Sequence, residues 1–292
     1  MIYNISHRTT YKYNYPVSVA DHVACLKPRS LPNGELLHNE LLIQPVPKTI
    51  TERTDYFGNR LCFFTIEEPH EQLLVEARSK VAIAGHAIQE AASSRPWEES
   101  AQSLDQDRSP QGLEAYQFRF ESPRIRTRPE FANYALQSFT PGREMREALL
   151  DLTARIHSDF RFDAKVTTVR TTIEEVFKKR RGVCQDFAHI EIACLRSIHL
   201  AARYVSGYLR TYPPPGKPRL VGADASHAWV SVFCRGASWL DVDPTNNVVP
   251  SDGHVTLAWG RDYGDVSPLR GLILGGGDHT LEVAVDMEPA SA

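Results

Sequence analysis

The hydrophobic period of this chain changes twice along its length, and that constrains its fold more than any other feature. Near the start, Tyr3, Ile5 and His7 alternate with Asn4, Ser6 and Arg8, and Thr9, Tyr11, Tyr13 and Tyr15 continue a β-rich run up to Pro16. A period of two with β-branched and aromatic residues predicts strands. Leu61 to Ile66 and Leu73 to Ile83 are two further runs, with a turn over Asp55 to Arg60 before the first. Short strands at this spacing predict a β-sandwich-like N-terminal unit. The period then becomes helical. Met145, Leu149, Leu152 and Ile156 mark one helix face, and Cys184, Phe187, Ile190, Cys194 and Ile198 mark another. Between them, Thr171 and Glu174 have capping-box spacing, and Gly182 closes the short helix that they start. From Tyr204 the chain returns to β, with candidate strands at Tyr204–Leu209, His227–Phe233 and Trp239–Asp243.

Strands, then helices, then strands imply an α+β protein, and 292 residues suffice for two domains. We divide the chain into a β-rich N-terminal domain (1–90), a connector (91–115), an α+β core (116–250) and a β tail (251–292). The connector is read as exposed because Glu90 to Gly112 offers little to bury.

Composition narrows the function. The formal net charge is -3 with 24% charged residues, which lacks the basic footprint of a nucleic-acid binder. The single basic run, Lys178 to Arg181, suits a helix C-terminus. No apolar run reaches membrane-spanning length, and the N-terminus has no signal-peptide pattern, so a cytoplasmic location without membrane contact is expected. Five irregularly spaced cysteines without a CxxC argue for reduced thiols rather than disulfides or a structural zinc. Gly275 to Gly277 lacks the Lys-Ser/Thr of a phosphate loop.

The chemistry concentrates on three residues. Cys184 opens a helix, where unpaired N–H groups and the positive dipole end favour a thiolate and can hold an oxyanion. His227 and Asp243 lie on adjacent predicted strands. With Cys234-Arg235-Gly236 as hairpin loop, Phe233 faces Ala237 and His227 faces Asp243, so the carboxylate orients a histidine whose other nitrogen serves the cysteine. Asp241 shares the face of Asp243 and is the competing acid. Taken singly, each residue has a structural alternative: an inert helix-start cysteine, a satisfied strand histidine, an aspartate that starts a turn. A zinc held by Cys184, His227 and Asp243 would lack an obvious fourth side-chain ligand.

The stretch Arg181-Gly182-Val183-Cys184-Gln185-Asp186-Phe187-Ala188-His189 resembles the nucleophile motif of the bacterial transglutaminase-like superfamily. Ala202 to Tyr208, Ser226 to Val230 and Trp239 to Asn246 continue the resemblance in family order. His7 to Tyr11 and Phe57-Gly58-Asn59 resemble the β-rich region that precedes this domain in bacterial members, and Gly260 to Val266 resembles the usual tail. Ile198-His199 departs from a glycine-containing pair common in the family. The resemblance implies a papain-like core in which a helix bearing Cys packs on an antiparallel sheet. It assigns Cys184 as nucleophile, His227 as base and Asp243 as orienting acid, with no cofactor or metal. The implied reaction is thiol-dependent hydrolysis of peptide or amide bonds through a thioester, on a peptide or protein substrate. Acyl transfer from glutamine to an amine is the alternative, and a non-catalytic binding module the second.

Overall fold

In the computed structural model, residues 1–84, 95–164, 171–211, 225–234 and 238–290 are described. The chain opens with β1 (Ile2–Ala24), β2 (Gly34–Gln44), β3 (Thr49–Thr54), β4 (Arg60–Ile66) and β5 (His70–Ile83). Helices α1 (Trp97–Gln106) and α2 (Pro110–Tyr116) follow, then α3 (Pro129–Ala135) and α4 (Met145–Asp159). A two-residue β6 (Arg161–Phe162), α5 (Ile173–Lys179) and a two-residue β7 (Arg181–Gly182) lead into α6 (Cys184–Ser197). The sequence ends with β8 (Ala202–Leu209), β9 (Ala225–Cys234), β10 (Ser238–Val242), β11 (His254–Gly260), α7 (Tyr263–Val266), β12 (Leu269–Gly275) and β13 (His279–Pro289). The architecture is α+β, as expected.

The N-terminal unit is one curled antiparallel sheet organised by the long strand β1. Its first half pairs with β5 and β13, and its second half with β4 and β12. Between Lys12 and Val17 the register shifts, which lets the sheet fold over on itself. Residues from both halves, among them Tyr3, Ile5, Val75, Phe64 and Ile66, share one core. The two layers expected of a sandwich thus come from a single sheet. The tail returns here: β12 and β13 both pair with β1.

The second sheet has the order β10-β9-β8-β11 and is antiparallel throughout. Helix α6 packs on one face, where Ala228, Val230 and Val232 join Phe187, Ile190 and Cys194. All four apolar residues predicted for α4 are buried in the same core. On the other face, Phe233 clusters with Leu104, Ala115 and Phe118. Tyr208, Val255 and Leu257 enter the core of the N-terminal sheet.

That last cluster corrects the connector. The stretch read as exposed holds α1 and α2, and Leu104 and Ala115 are completely buried. Few apolar residues occur there, so periodicity is weak, yet those few close the back of the second sheet. Two smaller expectations also shift. The cap of α5 is Thr172, whose hydroxyl accepts from the Glu175 N–H, one residue later than predicted. The helix stops at Arg180, in the left-handed region at φ 54°, with its guanidinium over the Phe177, Phe160 and Tyr134 rings. His199, at φ 66°, occupies the left-handed position after α6, the conformation for which glycine is favoured.

Leu104→Ala is expected to destabilise the fold by about 2–5 kcal/mol, the cost of truncating a buried leucine. Chemical denaturation of both forms measures it; a loss near zero would return the segment to the status of a connector.

Candidate active site

Cys184 begins α6 directly after the short strand β7, with Val183 extended at the cap position (φ -108°, ψ 179°). A Cβ on Gly182 would come within 2.6 Å of the Asp186 carboxylate, so only glycine fits there without displacing it. That carboxylate accepts from the Val183 N–H at 2.8 Å and caps the helix. Cys184 is half-buried, at the margin of the core. It lies close enough to His227 for its thiol to raise the proton affinity of the imidazole. Tyr204, also beside Cys184, has its phenol pushed well above the ordinary range, first by burial and then by the charge of that thiol.

His227 enters from the start of β9 and Asp243 from the residue after β10. The structure brings them together: His227 Nε2 lies 2.8 Å from Asp243 Oδ2. A carboxylate only accepts, so Nε2 carries the proton and Nδ1 is left for Cys184. The predicted hairpin register is off by two. Ser238 pairs with Cys234 and Val242 with Val230, which puts Asp243 beyond Val242 and diagonal to His227 rather than opposite. A slip of two keeps every side chain on its face, and diagonal neighbours remain within reach of long side chains. Of the predicted loop, Cys234 ends β9, and Arg235 and Gly236 lie outside the described residues.

Asp243 is completely buried, and five N–H donors converge on it. Oδ1 accepts from the backbone N–H groups of Thr245 (2.9 Å) and Asn246 (3.2 Å). Oδ2 accepts from His227, from Asn246 Nδ2 (2.8 Å) and from His254 Nε2 (3.3 Å). Burial works against the charge, but the bonds from His227 and His254 hold the carboxyl well below the usual carboxylate range. For His227 burial also opposes charge. The bond it donates to Asp243, then the influence of Cys184, outweigh it and push the imidazole up to about 9.

Asp241 has another role. Its Oδ2 accepts from Trp229 Nε1 at 3.1 Å, which removes it from competition for His227. The indole then extends across β8 at Gly207, the residue paired with His227, where an added Cβ would meet the ring at 2.3 Å. On the far side it meets the His254 ring edge-on, with centroids 5.4 Å apart.

Sequence reasoning missed His254, Asn246 and Gly207. Asn246 had a local signal, since an Asp-Pro-Thr-Asn turn offers its fourth side chain back to the first. His254 lies on a different strand and had none.

His227, Asp243 and His254 offer one ligand atom each within 4.8 Å of one another. Their hydrogen bonding does not suit a cation. Oδ2 already receives three donors, and His254 Nδ1 accepts from the Ser251 N–H at 3.4 Å. A metal on Nε2 would put the ring proton on Nδ1, against that N–H. The group is arranged as donors around an anion.

Asp243→Ala is expected to slow alkylation of Cys184 at neutral pH far more than Asp241→Ala, which acts on Trp229. Mass spectrometry of the two variants under one reagent tests this, and an equal or reversed effect would make Asp241 the orienting acid.

Comparison with known proteins gives the family of the chain. Residues 3–82 match the family model of the bacterial transglutaminase-like N-terminal region, and residues 133–244 match that of the transglutaminase-like superfamily. An uncharacterized protein of Mycobacterium tuberculosis is 37% identical over 98% of this chain and 92% of its own length. One from Mycobacterium leprae is 29% identical over 97% of each. A protein-glutamine gamma-glutamyltransferase of Pseudomonas aeruginosa matches 26% of this chain and 11% of its own length, at 37% identity. Among solved structures, a candidate cysteine protease from Cytophaga hutchinsonii aligns over 100% of this chain and 92% of its own, with a TM-score of 0.76 and 20% identity. That likeness shows a shared fold. Two motif-bearing regions in family order, on a common fold, make this chain a member of the transglutaminase-like superfamily.

Proposed function

We propose that this protein is a thiol-dependent hydrolase of peptide or amide bonds, with Cys184 as nucleophile, His227 as acid and base, and Asp243 as the group that orients His227. The observation that carries the reading is a histidine 2.8 Å from a buried carboxylate, with a half-buried thiol at a helix N-terminus close enough to raise its proton affinity. The role of each residue follows from its surroundings. Cys184 attacks the amide carbon, and its sulfur forms the new bond as the carbonyl π electrons move to oxygen. The Cys184 and Gln185 N–H groups, ahead of the first bonded amides of α6 at Asp186 and Phe187, can bind that oxyanion. The imidazolium of His227 gives its proton to the leaving nitrogen as the C–N bond breaks, leaving a thioester. Neutral His227 then takes a proton from water, hydroxide adds to the thioester, and the thiolate departs.

Acyl transfer to an amine uses the same first half and differs in the group that resolves the thioester. The local match to a protein-glutamine gamma-glutamyltransferase keeps that second reading in view. Substrate is expected to be a peptide or protein. All five cysteines are free thiols. Among the described residues, no helix is long and apolar enough to cross a membrane.

The test is a peptide mixture incubated with and without a fluorescent primary amine. Cleavage without incorporation supports the hydrolase, and incorporation supports transfer. Cys184→Ala is expected to lose either activity by roughly 10⁴-fold or more while remaining folded; full activity in that variant would remove Cys184 from the mechanism. The pH dependence has a definite sign. His227 must be protonated to serve the leaving group, and its value is raised to about 9. Turnover is therefore expected to be sustained through neutral pH and lost as pH rises through about 9. In Asp243→Asn the loss moves to lower pH, which kcat/KM measured against pH will show.

A further inference from the structure

We propose that His254 is a positioning residue for the reaction: its Nε2–H, presented from β11, holds the Asp243 carboxylate in place beneath His227. The inference rests on the thiol reading above and deepens it.

Three observations carry it. The first is tautomer. Because Ser251 N–H donates to His254 Nδ1 at 3.4 Å, the ring proton lies on Nε2, which faces Asp243 Oδ2 at 3.3 Å. A histidine presented this way donates to the carboxylate and cannot accept from it. The second is the balance around Oδ2. Asn246 Nδ2 lies 2.8 Å from Oδ2 and 3.3 Å from His227 Nε2, so two side chains donate beside each other while His254 donates from another strand. Without His254, the pull of Asn246 is unopposed and Oδ2 can shift away from His227. The third is enclosure. His254 is 8% exposed, and its ring lies edge-on to the Trp229 indole and 6.1 Å from the His227 ring. Trp229 reaches that position only because Gly207 has no side chain. The His227–Asp243 bond thus sits behind a wall that His254 completes, in surroundings where a hydrogen bond to a charge is strong.

The titratable groups around this cluster define the competing effects. Asp243 is faced by His227 and His254, and by Glu191 from α6. His227 is faced also by Cys184 from the same helix. Glu191 is held as the neutral acid by burial, its value pushed up to about 8, so it adds no charge beside Asp243 at neutral pH.

The experiment follows the His227 ring by nitrogen-detected NMR titration, which needs no substrate, in wild type and in the variants Asp243→Asn, His254→Phe and His254→Gln. In His254→Phe the shape of the ring is kept and the donor is lost. The His227 midpoint is expected to fall by about one pH unit, tenfold in the protonation equilibrium, in the same direction as in Asp243→Asn. In His254→Gln an amide N–H replaces the imidazole N–H, and the midpoint is expected to return most of the way to wild type. His254→Ala takes the place of His254→Phe if that variant does not fold. An unmoved midpoint would mean that His254 only fills space. A raised one would mean that it merely draws charge from Asp243. Either overturns the proposal. A wild-type midpoint at the ordinary histidine value, unchanged in Asp243→Asn, would instead sink the thiol reading itself.

Discussion

A single buried charge governs the second half of this molecule. Removing a carboxylate from water is costly unless hydrogen bonds replace the water, and Asp243 is completely buried. Its five donors come from three places: β9, the turn after β10 and the first residue of β11. Satisfying it therefore fixes the relative positions of two non-adjacent strands and a turn. The same bonds set the state of His227. An anion that remains charged below the usual carboxylate range is a constant partner for an imidazolium, and this is the physical origin of its raised titration.

The N-terminal sheet takes part through β11. Asn59 is completely buried, and its amide clasps the Trp259 backbone on both sides, donating to the carbonyl at 2.8 Å and accepting from the N–H at 3.1 Å. Arg29 donates to Asn59 Oδ1 at 2.7 Å and stacks on the Trp259 ring at 3.5 Å. His7 of β1 contacts the Tyr208 hydroxyl of β8 at 3.1 Å. The residues outside the core that carried the family resemblance, His7 and Phe57-Gly58-Asn59, thus prove to be joints between the two sheets. The strand they hold is the one that presents His254 to Asp243. In the tail, the Tyr263 N–H donates to His189 Nε2 on α6, so that motif is tied back to the helix that carries Cys184.

Much of this was legible in the sequence because local rules decide it. The α6 stripe placed Cys184 on the first turn, and strand alternation put His227 with Trp229 and Asp243 with Asp241. What failed was whatever depends on an exact count or on distant strands. The hairpin register rested on an assumed loop, and the flanking pairs lie two residues away from it. The faces survived because a shift of two preserves parity. His254 could not be found by pattern, since it reaches Asp243 across β8, over a glycine whose role appears only when the Trp229 ring is in place. The helices of 97–116 were hidden by polar composition, although Leu104 alone shows that burial does not require an apolar stretch.

Glu191 shows why Asp243, and not another acid, is the anion. Both are completely buried, Glu191 on α6 against Thr153 of α4 and Asp243 just after β10. Asp243 has five donors, whereas Glu191 has one contact, 2.7 Å from Oε1 to the Thr153 hydroxyl, and its Oε2 has no partner among the described residues. Thr153 Oγ1 also lies 2.9 Å from the Leu149 carbonyl. A hydroxyl has one proton. Given to the carbonyl, it leaves the Thr153 oxygen to accept from a protonated Glu191, and the geometry closes without an unpaired charge. Burial raises Glu191 to about 8, and the charge of Asp243 adds to this. Two carboxyl groups are thus pushed apart by their surroundings, one kept as a neutral acid and one as an anion, which is the separation that acid–base chemistry requires. Of these two buried acids only the anion is bonded to the histidine, so Asp243 and not Glu191 is the counter-charge held in fixed geometry beside it.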